Sequence, residues 1–150
     1  MKTSNFLSGL LIFLLGFLSL SAIVGGVMLI LSPQGSGIEM PVELLDNSPF
    51  KNFLVPGIIL LVTFGLIPIY IIYALIKKPE SRFMQKLNLL YDHHFAWTFA
   101  VYIGFGQIIW INVQTLIMNS VVIIHTFYSS LGILIVCIAL LPEIRGRYKL

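Results

Sequence analysis

The chain has 150 residues, 58% hydrophobic and 10% charged, with a formal net charge of +3. Soluble domains carry about 25% charged residues and need polar surface over the core, so a mean hydropathy of +0.98 excludes an ordinary soluble fold and marks an integral membrane protein. The cations flank apolar runs without an aromatic-interleaved patch, which excludes a nucleic-acid partner; the single cysteine, Cys137, excludes an internal disulfide and reads as a buried, inert thiol.

A spanning helix needs about 20 apolar residues. The first run, 6–31, carries no charge and exceeds the about 7–15-residue core of a cleaved signal. Gly9, Gly16, Ser19, Ala22 and Gly26 fall near one of its faces. Such a small-residue stripe lets another helix backbone come close, and suits a homo-oligomer or a partner membrane protein.

Residues 32–56 are too many for a simple connection and should carry structure of their own. SPQGSG at 32–37 is turn material, and MPVELLD at 40–46 places Pro41 at a helix start. Ser48 is a good N-cap and Pro49 a good first helical residue, so a helical turn is predicted through Phe50, Phe53 and Leu54. Phe50 and Phe53 are the expected anchors of this loop on the membrane face, with Lys51 toward water and Pro56-Gly57 bending the chain into the second span.

That span, 57–76, stops at Lys77, Lys78 and Pro79. Pro68 lacks an N–H and frees the carbonyl of Phe64, which predicts a kink. The basic loop that follows holds LNLLY (87–91), an amphipathic interfacial segment. Tyr73, Phe83, Tyr91, Phe95 and Trp97 read as an aromatic belt. Asp92-His93-His94 read as solvated residues before the third span rather than a metal site, because adjacent helical histidines diverge and further strong ligands are missing.

The third and fourth spans are 95–117 and 121–141, the latter capped by Asn119 or Ser120 and closed by Pro142. Lys2, Lys77, Lys78, Arg82, Lys86, Arg145, Arg147 and Lys149 fall on one side and Lys51 on the other. The positive-inside rule then puts both termini and the middle loop in the cytoplasm, and 32–56 outside. The fold expected is all-α: one multi-pass four-helix bundle in the cytoplasmic membrane, with a structured outer loop between spans one and two.

Polar residues inside a membrane are costly and so are the best site candidates. Gln107, Trp110 and Gln114 share a face of the third span, with Asn112 nearby; His125, Tyr128, Ser129 and Gly132 form a stripe on the fourth. Both stripes reach the outer half of the bilayer. They can simply hydrogen-bond across helices, or line an outward-facing pocket in which Gln107, Trp110, Gln114, His125 and Tyr128 bind a headgroup or small amphiphile. A proton relay through His125 is the weakest reading, since no intramembrane carboxylate partners it. No nucleophile elbow, P-loop, dinucleotide fingerprint or zinc-helix motif occurs, so no catalytic residue, metal ligand or cofactor is expected. The leading function is a small non-catalytic membrane protein binding a lipid or a partner membrane protein; the alternative is a small transporter or lipid-handling enzyme. A deep cavity at Gln107, Gln114 and His125 favours the alternative, and a dry bundle the first.

Pro41-x-x-Leu44, Ser48-Pro49-Phe50-x-x-Phe53-x-x-Pro56-Gly57, Trp110-Ile111-x-x-Gln114, and Tyr128 with Gly132 resemble a family of small, uncharacterised four-helix bacterial integral membrane proteins. The resemblance spans most of the chain. It implies a four-span inner-membrane protein and brings no activity or catalytic residues with it.

Overall fold

The computed structural model describes residues 2–150. Its helices are α1 (Lys2–Leu31), α2 (Leu54–Lys77), α3 (Arg82–Lys86), α4 (Phe95–Met118), α5 (Ile123–Leu140) and α6 (Pro142–Arg145), with single 3₁₀ turns at Ser36–Ile38, Val42–Leu45 and Gly146–Tyr148. No strand occurs among the described residues, only an isolated bridge between His93 and Lys149. Four helices, α1, α2, α4 and α5, are long and apolar enough to cross a membrane. They are unequal: α1 has 30 residues and α5 has 18, about 45 Å and 27 Å at the α-helical rise. The turns at 32–53 and 119–122 lie at one end of the molecule, the loop end; 78–94 and both chain ends lie at the other, the terminal end.

Hydrophobicity does not select the packed faces, because the exposed faces are apolar too. On α1, Leu11, Leu15, Leu18 and Ala22 are buried while Phe13, Leu20 and Val24 are exposed. Small residues select them instead. A Cβ on Gly26 would stand 2.9 Å from the Gly57 carbonyl oxygen, and one on Gly65 2.8 Å from Ile23 Cγ1. Ser19 Oγ donates to the Gly65 carbonyl at 2.7 Å. The stripe expected to serve self-association is therefore occupied by α2 within the chain. Gly9 is the member of that stripe with nothing within 4 Å of an added Cβ.

The irregularity expected at Pro68 takes the form of a π-helical stretch, Leu60–Leu66, inside α2. There Ile67 N–H reaches back to Val62. The wider turn accompanies the missing proline donor, and Ser19 satisfies a carbonyl beside it.

Several boundaries differ from expectation. No helical turn forms at Ser48-Pro49, and α2 begins at Leu54 rather than 57, taking in Pro56-Gly57. Ser48 Oγ accepts from Phe50 N–H at 3.1 Å and donates to Leu45 O at 2.8 Å, while Asn52 Oδ1 accepts from Leu54 N–H at 3.0 Å. These local side-chain turns outcompete the helix. Phe53 is nonetheless buried, Phe50 half-buried and Lys51 exposed. Asn119, at φ 47°, ends α4 in the left-handed region. It does not cap α5, whose N-cap is Val122. Cys137 is exposed rather than buried, among exposed Ile133 and Leu134. Phe95 and Trp97 are core residues, not belt residues.

Candidate functional site

At the loop end, α1, α4 and α5 diverge around a half-open hollow of about 350 Å³. Its lining includes Ser21, Ala22 and Gly25 from α1, Gln107, Trp110 and Gln114 from α4, and Ile124, His125 and Tyr128 from α5. A second hollow of about 250 Å³ shares Gly25, Met40, Trp110, Gln114 and Met118 with it. The loop roofs this one: Met40, Leu45, Phe50 and Phe53 line it. Phe53 N–H donates to Pro33 O at 2.8 Å, which ties the roof to the chain just past α1, and Met40 N–H donates to Gly35 O at 3.1 Å within the loop.

All five residues expected to bind a ligand thus line one hollow, and both expected loop anchors line its neighbour. Neither Gln107 nor His125 faces outward; they are 2% and 5% exposed. Trp110 is steadied by Phe64 of the π stretch, ring centroids 6.1 Å apart. His125 Nδ1 accepts from Val122 N–H at 3.4 Å, which leaves the proton of a neutral ring on Nε2 as a donor. Asn112 instead turns its amide onto Ile108 O of its own helix, at 2.8 Å.

Among the described residues, no Asp, Glu, Lys or Arg lines either hollow. The polar groups there are amides, an indole, an imidazole, hydroxyls and backbone. Gln107 Oε1 is buried with no hydrogen-bond partner among the described residues. A buried acceptor left unmade costs about 1–3 kcal/mol. No cluster of three metal-ligating side chains occurs among the described residues.

A second polar assembly, at the terminal end, was not anticipated. His93 is buried, 2% exposed, not solvated. Its Nδ1 meets Asp92 Oδ1 at 2.7 Å, and Arg145 Nε donates to its Nε2 at 3.2 Å. Buried Asn88 and Gln85 both donate to the His93 carbonyl, and Gln85 Oε1 accepts from Phe95 N–H. The chain's last residues join in. His94 N–H donates to Tyr148 O, Leu150 N–H to Asp92 O, and Tyr148 O–H to Leu75 O. Arg147 reaches Ser4 and Asn5 of α1. The segment 82–91 is inside out: Phe83, Leu87, Leu89 and Tyr91 point outward while Asn88 points in. The sequence signal was there, since LNLLY carries its polar residue alone among apolar ones.

Asp92 sits below the ordinary carboxylate value, mainly through its hydrogen bond with His93, and burial lowers His94 below the ordinary 6.5. Both shifts mean that the folded chain holds fewer protons than the unfolded one, so acid weakens this end. The His94 contribution is complete above its ordinary value and fades as pH falls below it; that of Asp92 fades only below 3.8. Hydrogen-exchange protection of amides in 93–97 should drop between about pH 7 and about pH 5, while that of the α4 centre holds. Equal change in both would remove this account.

Comparison with protein-family models, curated proteins and solved structures finds no match.

Proposed function

We propose that the chain is a four-helix bundle in the cytoplasmic membrane that holds a lipid-like amphiphile in its loop-end hollow without transforming it. The observation that carries this is an uncharged hollow of pocket size, about 350 Å³, whose sparse polar groups converge from three helices. Such a hollow argues against a dry, purely structural packing of the two polar stripes. Retention is favoured over chemistry because, among the described residues, the lining holds no acid and no paired titratable groups. It is favoured over passage because the layer beyond the hollow is filled: Leu11, Leu15, Ile71, Trp97, Ala100 and Ile135 are all buried there. The mature partner of this pocket is a membrane lipid; a homo-oligomer or partner protein has the apolar outer faces to use.

Protein extracted in mild detergent should carry a lipid identifiable by mass spectrometry, and Gln114→Leu should strip it while the unfolding temperature stays near that of the parent chain. A parent chain that comes out free of lipid, and takes none up on reconstitution, would end the proposal.

In the orientation proposed, the cation-rich terminal end is cytoplasmic and the hollow opens outward. Exposed Ser36 and Glu80 mark the two sides. In cells, with Cys137 replaced, Ser36→Cys should label with an impermeant thiol reagent and Glu80→Cys should not. The reverse pattern would invert the molecule.

A further inference from the structure

We infer that the segment 82–91 is an embedded foot, lying in the headgroup layer at the terminal end and gathering anionic phospholipid there. The inference rests on the membrane setting proposed above and not on the hollow, which is at the opposite end. Three observations carry it. The first is that the outward apolar side is held in place. Gln85 and Asn88 turn their amides inward, onto the His93 carbonyl and onto the N–H groups of Phe95 and Leu90. Ser81 Oγ accepts from Met84 N–H at 3.3 Å and caps α3. With these polar groups tied inside, Phe83, Leu87, Leu89 and Tyr91 are left facing out. An exposed apolar patch of this kind marks a contact with membrane or protein.

The second observation is depth, and it selects the membrane. The segment joins two span ends, Lys77 of α2 and Phe95 of α4. It does not hang away from them, because Leu89 N–H donates to the Tyr102 hydroxyl at 3.0 Å. Tyr102 is two turns inside α4, about 10 Å along the axis from its start, and helical side chains lean back toward that start. Leu89 therefore lies beside the opening turns of the span, where headgroups give way to acyl chains. A soluble partner does not reach that depth, whereas an amphipathic segment rests there.

The third observation is charge. Arg82 and Lys86 are one turn apart on α3, and Phe83 with Leu87 forms the neighbouring stripe. Lys77 adds a third exposed cation. None of the three pairs with an acid among the described residues, where the one ion pair is Asp92 with His93. Glu80 is the single acid between 77 and 91. Lys78 is already engaged, by the Arg147 carbonyl and the Tyr148 ring. Unpaired cations beside an embedded apolar stripe attract anionic headgroups.

The test has two readouts on the full chain. In the first, Cys137 is replaced and an environment-sensitive fluorophore is attached at Phe83→Cys or, for comparison, at Glu80→Cys. In vesicles of dioleoyl phosphatidylglycerol and phosphatidylcholine, a nitroxide on the lipid chain should quench the label at 83, and iodide in the water the label at 80. Iodide reaching both alike would overturn the inference, and so would a label at 83 shielded from both quenchers, which means a protein cover. In the second readout, native mass spectrometry compares the same two lipids. Phosphatidylglycerol should bind about tenfold or more tightly, the effect of two such cations near anionic lipid. Arg82→Gln with Lys86→Gln should remove most of that preference, and Gln114→Leu in the hollow should leave it unchanged. Equal binding of the two lipids by the parent chain, or a preference that survives the loss of Arg82 and Lys86, would overturn the inference while sparing the proposal for the hollow. A hollow found empty of lipid, with the preference at Arg82 and Lys86 intact, would end that proposal and spare this one.

Discussion

Replacing Trp97 with alanine should lower the stability of the fold by about 3–5 kcal/mol. Trp97 is among the largest fully buried side chains. Its ring lies 4.6 Å from that of His93, centroid to centroid. Its Nε1 donates to the Ala139 carbonyl at 2.7 Å. Ala139 is in the last turn of α5, where carbonyls have no intrahelical donor. Alanine would therefore leave a void and an unmet buried acceptor at once. Trp97→Phe separates the two effects, since it keeps most of the ring volume and loses the donor, at a cost of about 1–3 kcal/mol. Reversible unfolding in detergent measures both. If the two variants unfold like the parent chain, Trp97 is not the joint between α4, α5 and the terminal end.

Gly132→Val should push α4 and α5 apart and empty the hollow of its ligand. A Cβ on Gly132 would lie 2.9 Å from the Gly104 carbonyl oxygen and 3.0 Å from Ile108 Cγ1; one on Gly104 would lie 2.6 Å from Val136 Cγ2. The two glycines face each other, and the contact includes backbone, which cannot swing aside. Overpacking of this kind costs about 1–3 kcal/mol. The same Cβ would stand 3.3 Å from Gln107 Cβ, so the displacement reaches the candidate site directly. Gly9→Val is the control, because open space surrounds that position. The pair should differ in both unfolding temperature and lipid retention. A Gly132 variant as stable as the Gly9 variant would mean that α4 and α5 are not held by this close approach.

The four long helices were legible because about 20 uninterrupted apolar residues have few other uses, and their ends fell within a few residues of expectation. Five of the polar side chains that line the hollow were legible for a related reason, whereas Ser21, which also lines it, was not singled out. In an apolar chain each amide or imidazole stands out, and helical spacing says which ones share a face. What failed was local competition. Ser48-Pro49 satisfies the rules for a helix start, yet Ser48 bonds to Phe50 and Leu45 instead. The outcome depends on Phe53 being held by Pro33, a contact 20 positions away in sequence. His93 was misread because adjacent histidines near a span end ordinarily face water. Its burial needs Gln85, Asn88 and Arg145, two helices and a chain end that only the folded molecule brings together. The small-residue stripe of α1 was correctly seen as a close-packing face, but no sequence pattern distinguishes a neighbour in the same chain from one in another.

The unequal helices bear on the proposed membrane setting. A hydrocarbon layer about 30 Å thick is overreached by α1, at about 45 Å, and barely met by α5, at about 27 Å. One flat slab cannot suit both. The surplus of α1 begins with Ser4 and Asn5, which Arg147 ties to the chain's last residues. The adjustment falls on the lipid beside α5, which must thin, or on the whole molecule, which must lean. Each ångström costs a fraction of a kcal/mol. In the proposed setting the acyl chains that fit best are those short enough for α5, the helix that carries Ile124 at the rim of the hollow.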